Sequence, residues 1–215
     1  MLWILYKIFK VLLIITLPFI ILIRGSIYLH ANYELLPWLS LAGGATATVI
    51  LLVLYFSFIY GKVTGKSGSK GAFQRRSAMA LIFVIGYCLH GLFVLNATNI
   101  KNKNIQKEYR SLHPIMRMGV STILFLDKSL IITDAQRVPE DYRVMGLKTK
   151  RRSLHYQQLN GFVHAVDIRT NDRTNFRNFL IKSYFSLMGF NTLRHVGTDD
   201  HLHISLKSFD SPGAI

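Results

Sequence analysis

Residues 153–170 read SLHYQQLNGFVHAVDIRT. A polar, turn-forming start runs into a short apolar stretch, GFVHAVDI, which has the composition of a β-strand. The segment carries His155, His164 and Asp167. A second histidine-bearing segment, DDHLHIS, follows at residues 199–205. Strand side chains alternate between faces, so His201, His203 and Ser205 share one face and Leu202, Ile204 and Leu206 share the other. The two segments therefore predict two strands of one sheet, each with an apolar side and a side able to carry chemistry.

The flanking sequence completes an α+β domain over residues 112–206, with a small mixed or antiparallel sheet and flanking helices. LHPIMRMGVSTILFLDK predicts a helix from Pro114, where proline is tolerated in the first turn. SLIITDA predicts a short buried strand over Leu130 to Thr133. PEDYRVMGL predicts a short helix stopped by Gly146. DRTNFRNFLIKSYFSLMG predicts an amphipathic helix with Phe176, Phe179, Leu180, Leu187 and Met188 on one face, closed by Gly189. TLRHV and HLHISL predict two strands joined by the turn GTDD. Residues 98–111 are polar and read as a linker leading into a helix, and residues 207–215 as a tail.

The first 97 residues have a different character. Half of the 215-residue chain is hydrophobic, and this part holds a single acid, Glu34. Three stretches, about 5–23, 36–60 and 77–97, are apolar enough to cross a bilayer, which takes about 20 residues. Lys7 and Lys10 in the first would snorkel to the interface. No small-residue cleavage pattern follows the first stretch, so it reads as a retained helix rather than a signal peptide. Gly43, Gly44, Ala45 and Ala47 form a small-residue patch in the second, where helices can approach closely.

Loop charge predicts the orientation. Lys7 and Lys10 lie at the N-terminus, Lys62, Lys66, Lys70, Arg75 and Arg76 in the second loop, and only Arg24 in the first. The positive-inside rule then places the N-terminus in the cytoplasm and residues 98–215 outside. In a bacterial cell this is a multi-pass protein of the cytoplasmic membrane with a periplasmic or extracytoplasmic domain. That domain has 18 basic and 10 acidic residues, a balance suited to an anionic polymer. No basic block interleaved with aromatics stands out, which argues against nucleic acid. The lone Cys88 excludes an internal disulfide.

Histidine nitrogens and carboxylate oxygens are the ligands zinc takes, usually four in a tetrahedron. His164 and Asp167 are three apart and point to opposite faces of a regular strand. His155, in the preceding loop, can fold back beside Asp167. The residues alone thus leave a set of His155, Asp167 and one of His201 or His203, with His195 a weaker candidate.

At this point the sequence resembles the LAS group of zinc peptidases, in its D-alanyl-D-alanine carboxypeptidase/dipeptidase branch. That branch carries S-x-H, then G-x-A-x-D, then H-x-H or E-x-x-H. Ser153-Leu154-His155 matches the first, Ala165-Val166-Asp167 the A-x-D end of the second and His201-Leu202-His203 the third, in that order, over about residues 112–206. The resemblance implies Zn2+ held by His155, Asp167 and His203. It implies His201 and Asp200 as the catalytic pair assisting the attacking water, and Arg137 and Ser153 as substrate contacts. It also implies hydrolysis of peptidoglycan stem peptides. The stretch between His155 and Asp167 is longer than the family's, which makes His164 the substitute ligand. Asp200 stands where many relatives carry glutamate, so His201 is the alternative base. A non-catalytic domain that binds or senses wall peptides is the other expectation.

Overall fold

The computed structural model describes residues 2–66, 68–144, 146, 148–197 and 200–214. The turn expected at GTDD falls partly on residues outside these. Three helices come first: α1 (Leu2–Tyr33), α2 (Pro37–Thr64) and α3 (Lys70–Phe93). All three are long and apolar enough to span a membrane. α1 and α2 run past the stretches expected from hydropathy and α3 begins before its own, because helix geometry continues through the polar flanks, while α3 stops at Phe93, short of the expected 97. α3 begins at Lys70 and takes in Arg75 and Arg76, with Ser69 accepting the Ala72 N–H as its N-cap.

The 32 residues of α1 extend about 48 Å, against a hydrocarbon core of about 30 Å. Its surplus turns become part of the other domain. Leu22, Ile23 and Ile27 of α1, Leu41 of α2 and Leu92 of α3 belong to one buried cluster with Ile115, Ile168, Phe185 and Ile204. The three long helices and the α+β domain thus share a core at the ends of α1 and α3 and the start of α2. The basic residues of the N-terminus and of the α2–α3 connection lie at the opposite end. Gly44 lets α1 and α2 meet: a Cβ there would sit 2.5 Å from the Leu22 carbonyl oxygen.

Residues 98–111, expected as a linker, are instead built into the domain. A 3-10 turn at Ala97–Asn99 leads to α4 (Lys103–Ser111). Asn99 is buried and donates to the carbonyls of Lys128 and Leu130, while Ile105 and Tyr109 enter the core. α5 (Pro114–Leu126) starts at its proline as predicted, with the His113 ring capping the Ile115 N–H. It is buried along most of its length, between the three long helices on one side and α7 with Phe190 on the other.

Then come β1 (Ile132–Asp134), α6 (Pro139–Val144), β2 (Ala165–Arg169), α7 (Asn175–Met188), β3 (Asn191–His195) and β4 (His201–Ser205). The strands form one antiparallel sheet in the order β1-β2-β4-β3. β1 lies slightly later than expected and is irregular between Ile132 and Asp134. Val166, Ile168, Leu202 and Ile204 join the common core. The segment carrying His155 covers Asp167 and His203 on the other face.

α7 ends on Gly189 as expected, in a left-handed conformation (φ 100°) open to glycine. Of the apolar face expected from periodicity, only Met188 is buried. Asn178, Ile181, Phe185 and Met188 face inward, while Phe176, Phe179, Leu180 and Leu187 are exposed. The helix is apolar on two sides, so periodicity alone did not choose between them. Asn178 decides, donating to the Thr170 carbonyl at 3.0 Å and turning its own stripe to the core.

Candidate metal centre

The antiparallel register of β2 and β4 sets Asp167 directly opposite His203. Asp167 Oδ1 and His203 Nδ1 are 2.8 Å apart. His155 comes from the covering loop, and its Nε2 lies 3.2 Å from His203 Nδ1 and 3.4 Å from Asp167 Oδ1. All three side chains are buried. A tetrahedral zinc with bonds of about 2.0–2.1 Å has ligand–ligand edges of about 3.3 Å. The triangle of donor atoms is close to that size.

His155 reaches this position although its sequence distance from Asp167 is long. The added residues close on themselves as a small hairpin. Gln157 bridges to Val163, the Gln158 N–H donates to the Phe162 carbonyl, and Gly161 takes a left-handed turn position (φ 81°). The His164 N–H then donates to the Leu154 carbonyl at 2.9 Å, so the chain re-enters the sheet beside the point where it left. His155 Nδ1–H donates to the Ala135 carbonyl at 2.6 Å, leaving a lone pair on Nε2 directed at the triangle. His203 Nε2 is buried with no hydrogen-bond partner among the described residues.

Arg137 is the main neighbour of the carboxylate. Its Nη2 donates to Asp167 Oδ2 at 2.7 Å and its Nε to Asp134 Oδ2 at 2.6 Å. Burial opposes the Arg137 charge, but the two carboxylates outweigh it and raise its pKa further. Burial likewise opposes the Asp167 charge, and His155 and His203 reverse that, holding the carboxyl well below its usual range. Arg137, expected to grip a substrate carboxylate, is thus already gripping Asp134 and Asp167.

Three further expectations change. Ser153, expected at the substrate, is buried; its Oγ bonds the Tyr142 hydroxyl at 2.7 Å and accepts the His155 N–H at 3.3 Å. It positions His155. Asp200, expected as a base, is held by Arg194 through Nε at 3.1 Å and Nη2 at 2.8 Å, and by the Thr170 hydroxyl. These partners hold its pKa below the ordinary carboxylate value. Asp200 locks the open end of β4 to β2 and β3. His164, the substitute ligand, points away from the triangle. It lies with His30 and His113, its Nδ1–H donating to the Lys207 carbonyl at 3.2 Å.

His201 lies beside the triangle. It is one step along the His203 face, partly exposed, with Nε2 3.8 Å from Asp167 Oδ2. Its ring stacks on that of His195, its cross-strand partner, at 4.8 Å. His195 therefore stands beside His201, and burial followed by His201 lowers its pKa. Sequence reasoning missed Tyr142 and the Ala135 carbonyl, which orient His155 only through tertiary contacts. It also missed His30 and His113, whose elements meet only in the folded chain. Comparison with protein-family models, with curated proteins and with solved structures finds no match to this chain.

Proposed function

We propose that this chain is a membrane-anchored, zinc-dependent peptidase that hydrolyses peptidoglycan peptide bonds outside the bacterial cytoplasmic membrane. The observation that carries the reading is the buried triangle of His155 Nε2, Asp167 Oδ1 and His203 Nδ1, with edges of 2.8–3.4 Å. Its donor set fits zinc: two imidazole nitrogens and one carboxylate oxygen. Zinc held there would supply Lewis acidity to a water and to the peptide carbonyl. Arg137 fixes the outer oxygen of Asp167, and Ser153 and the Ala135 carbonyl fix His155. His201, at the solvent-reached edge of the triangle, is the group placed to take a proton at Nε2 and return it to the leaving amine. The basic ends of the long helices, opposite the α+β domain, support the outward placement, where stem peptides and the lipid bilayer are its partners.

The test is hydrolysis of a synthetic stem peptide ending in D-Ala-D-Ala by the full chain in detergent with zinc. The reading expects release of D-alanine, abolished by Asp167→Asn. A zinc-loaded protein inert on terminal and cross-linked stem peptides contradicts it. A second reading, a non-catalytic domain that binds or senses wall peptides, is favoured by one specific observation. Asp200 and Arg137, the expected base and substrate anchor, are both engaged within the fold. Peptide binding without cleavage would select it.

A further inference from the structure

A second group of imidazoles lies outside the centre described above. His30 belongs to the last turn of α1, His113 caps α5 and His164 immediately precedes β2. The three are 3%, 0% and 1% exposed. They offer ligand atoms that all lie within 4.8 Å of one another. Their ring centroids are 4.7 Å apart for His30–His113, 4.9 Å for His113–His164 and 5.8 Å for His30–His164.

We propose that His30, His113 and His164 form a second metal site, for a borderline divalent cation such as zinc, that ties the end of α1 to the α+β domain. The hydrogen bonds set two of the three tautomers in its favour. His30 Nδ1–H donates to the Leu35 carbonyl at 3.0 Å and His164 Nδ1–H to the Lys207 carbonyl at 3.2 Å. Each of these two rings is therefore unprotonated at Nε2. Asn160 Nδ2 donates to Nε2 of His164 at 2.8 Å, while His30 Nε2 has no partner among the described residues. His113 Nδ1 accepts the Ile115 N–H at 3.3 Å, a long bond, and its Nε2 is also without a partner. A ligand bond at His113 Nε2 moves the ring proton to Nδ1 and gives up that one weak cap.

Two buried ring nitrogens without partners are unusual, since buried polar groups are nearly always satisfied. A cation that takes imidazole ligands satisfies both and replaces the Asn160 bond to the third. Burial is the leading cause that lowers the pKa of His113 and of His164, so both rings stay neutral and available as ligands. Three imidazoles without a thiolate or an obligatory carboxylate suit zinc, copper or nickel rather than magnesium or calcium. A surface cleft lined by His30, His164, Glu34 and Asp210 leads to the cluster and presents two carboxylates to an incoming cation.

The test uses the full chain in detergent, stripped with a chelator and dialysed against Zn2+. The His203→Ala variant, which disables the first triangle, is expected to retain one zinc per chain. Adding His30→Ala or His164→Gln removes it. Zinc raises the Tm of His203→Ala, and this rise vanishes in the double variants. Cobalt(II) in His203→Ala is expected to give visible bands of an imidazole-coordinated ion. If His203→Ala does not fold, the same loss is read in the otherwise unaltered chain, as one equivalent of two lost in His164→Gln. A folded His203→Ala that binds no zinc, or an equivalent that survives both His30→Ala and His164→Gln, overturns the proposal. Either failure leaves the first triangle untouched, because its own zinc is read by the His203 variant.

Discussion

Asp167 and His203 face each other across the β2–β4 ladder, with Oδ1 2.8 Å from Nδ1. The sheet itself makes this contact. A register slip of one residue would turn every side chain of the slipped strand to its other face, sending the ligand atom into the apolar core. The buried Val166, Ile168, Leu202 and Ile204 oppose that slip, so the packing that stabilises the sheet also fixes two of the three donor atoms.

Arg137 links this pair to Asp134, and removing it leaves two carboxylates without their shared cation. Arg137→Ala is expected to destabilise the folded chain by about 3 kcal/mol, since breaking one side of a buried pair strands the other. Arg137→Lys is expected to recover only part of this, because a single ammonium cannot reproduce the fork that reaches both acids. Thermal melts of the full chain in detergent check both.

His201 and Asp200 are separable. His201→Ala is expected to reduce kcat of peptide hydrolysis by about a hundredfold or more, as loss of a positioned acid–base group does. Zinc content stays unchanged. Asp200→Asn is expected to change kcat by less than about tenfold while lowering Tm, because its carboxylate is occupied by Arg194 and Thr170. A large fall in kcat in Asp200→Asn would return the base role to Asp200.

Neighbouring glycines of α2 give a graded test of helix contact. A Cβ on Gly44 would meet Ser26 Oγ and sit 2.5 Å from the Leu22 backbone oxygen, which cannot move without the helix. A Cβ on Gly43 would meet only the tip of the Leu29 side chain. Gly44→Ala is therefore expected to cost about 2 kcal/mol or more, and Gly43→Ala clearly less. Equal effects in thermal unfolding would contradict the α1–α2 packing.

Stability without added metal depends on pH through His164, whose pKa burial lowers from 6.5 to about 4. Between those values the unfolded chain binds the proton and the folded chain does not. Stability is therefore full above about pH 6.5 and falls as the pH drops toward 4, by on the order of 3 kcal/mol from this residue. Tm measured against pH is expected to fall more steeply over this window in the native chain than in His164→Gln.

The period-two pattern of HLHISL, the apolar runs of the N-terminal half and the proline and glycine at the ends of α5 and α7 were enough to read the β4 strand, the presence of three long helices, the start of α5 and the end of α7. The facing of α7 was not legible, because both of its sides are apolar and one tertiary hydrogen bond from Asn178 decides between them. Residues 98–111 read as a linker because they are polar on average, while Asn99, Ile105 and Tyr109 are buried one by one. At the centre, His155, Asp167 and His203 were legible as donor types with a spacing. Arg137, Ser153 and Asp200 were legible as reactive residue types, but not in their partners, which include Asp134 of β1, Asp167 of β2, Tyr142 of α6 and Arg194 of β3. His30 and His113 join His164 only because the last turn of α1 packs beside the start of α5.

The most direct test of the central claim is the zinc content of the full chain and of His203→Ala, both purified in detergent and equilibrated with zinc. The His155–Asp167–His203 centre predicts that the variant, with native helical content, binds one equivalent less than the unaltered chain. Equal zinc content in two folded proteins, or none in either, would contradict it.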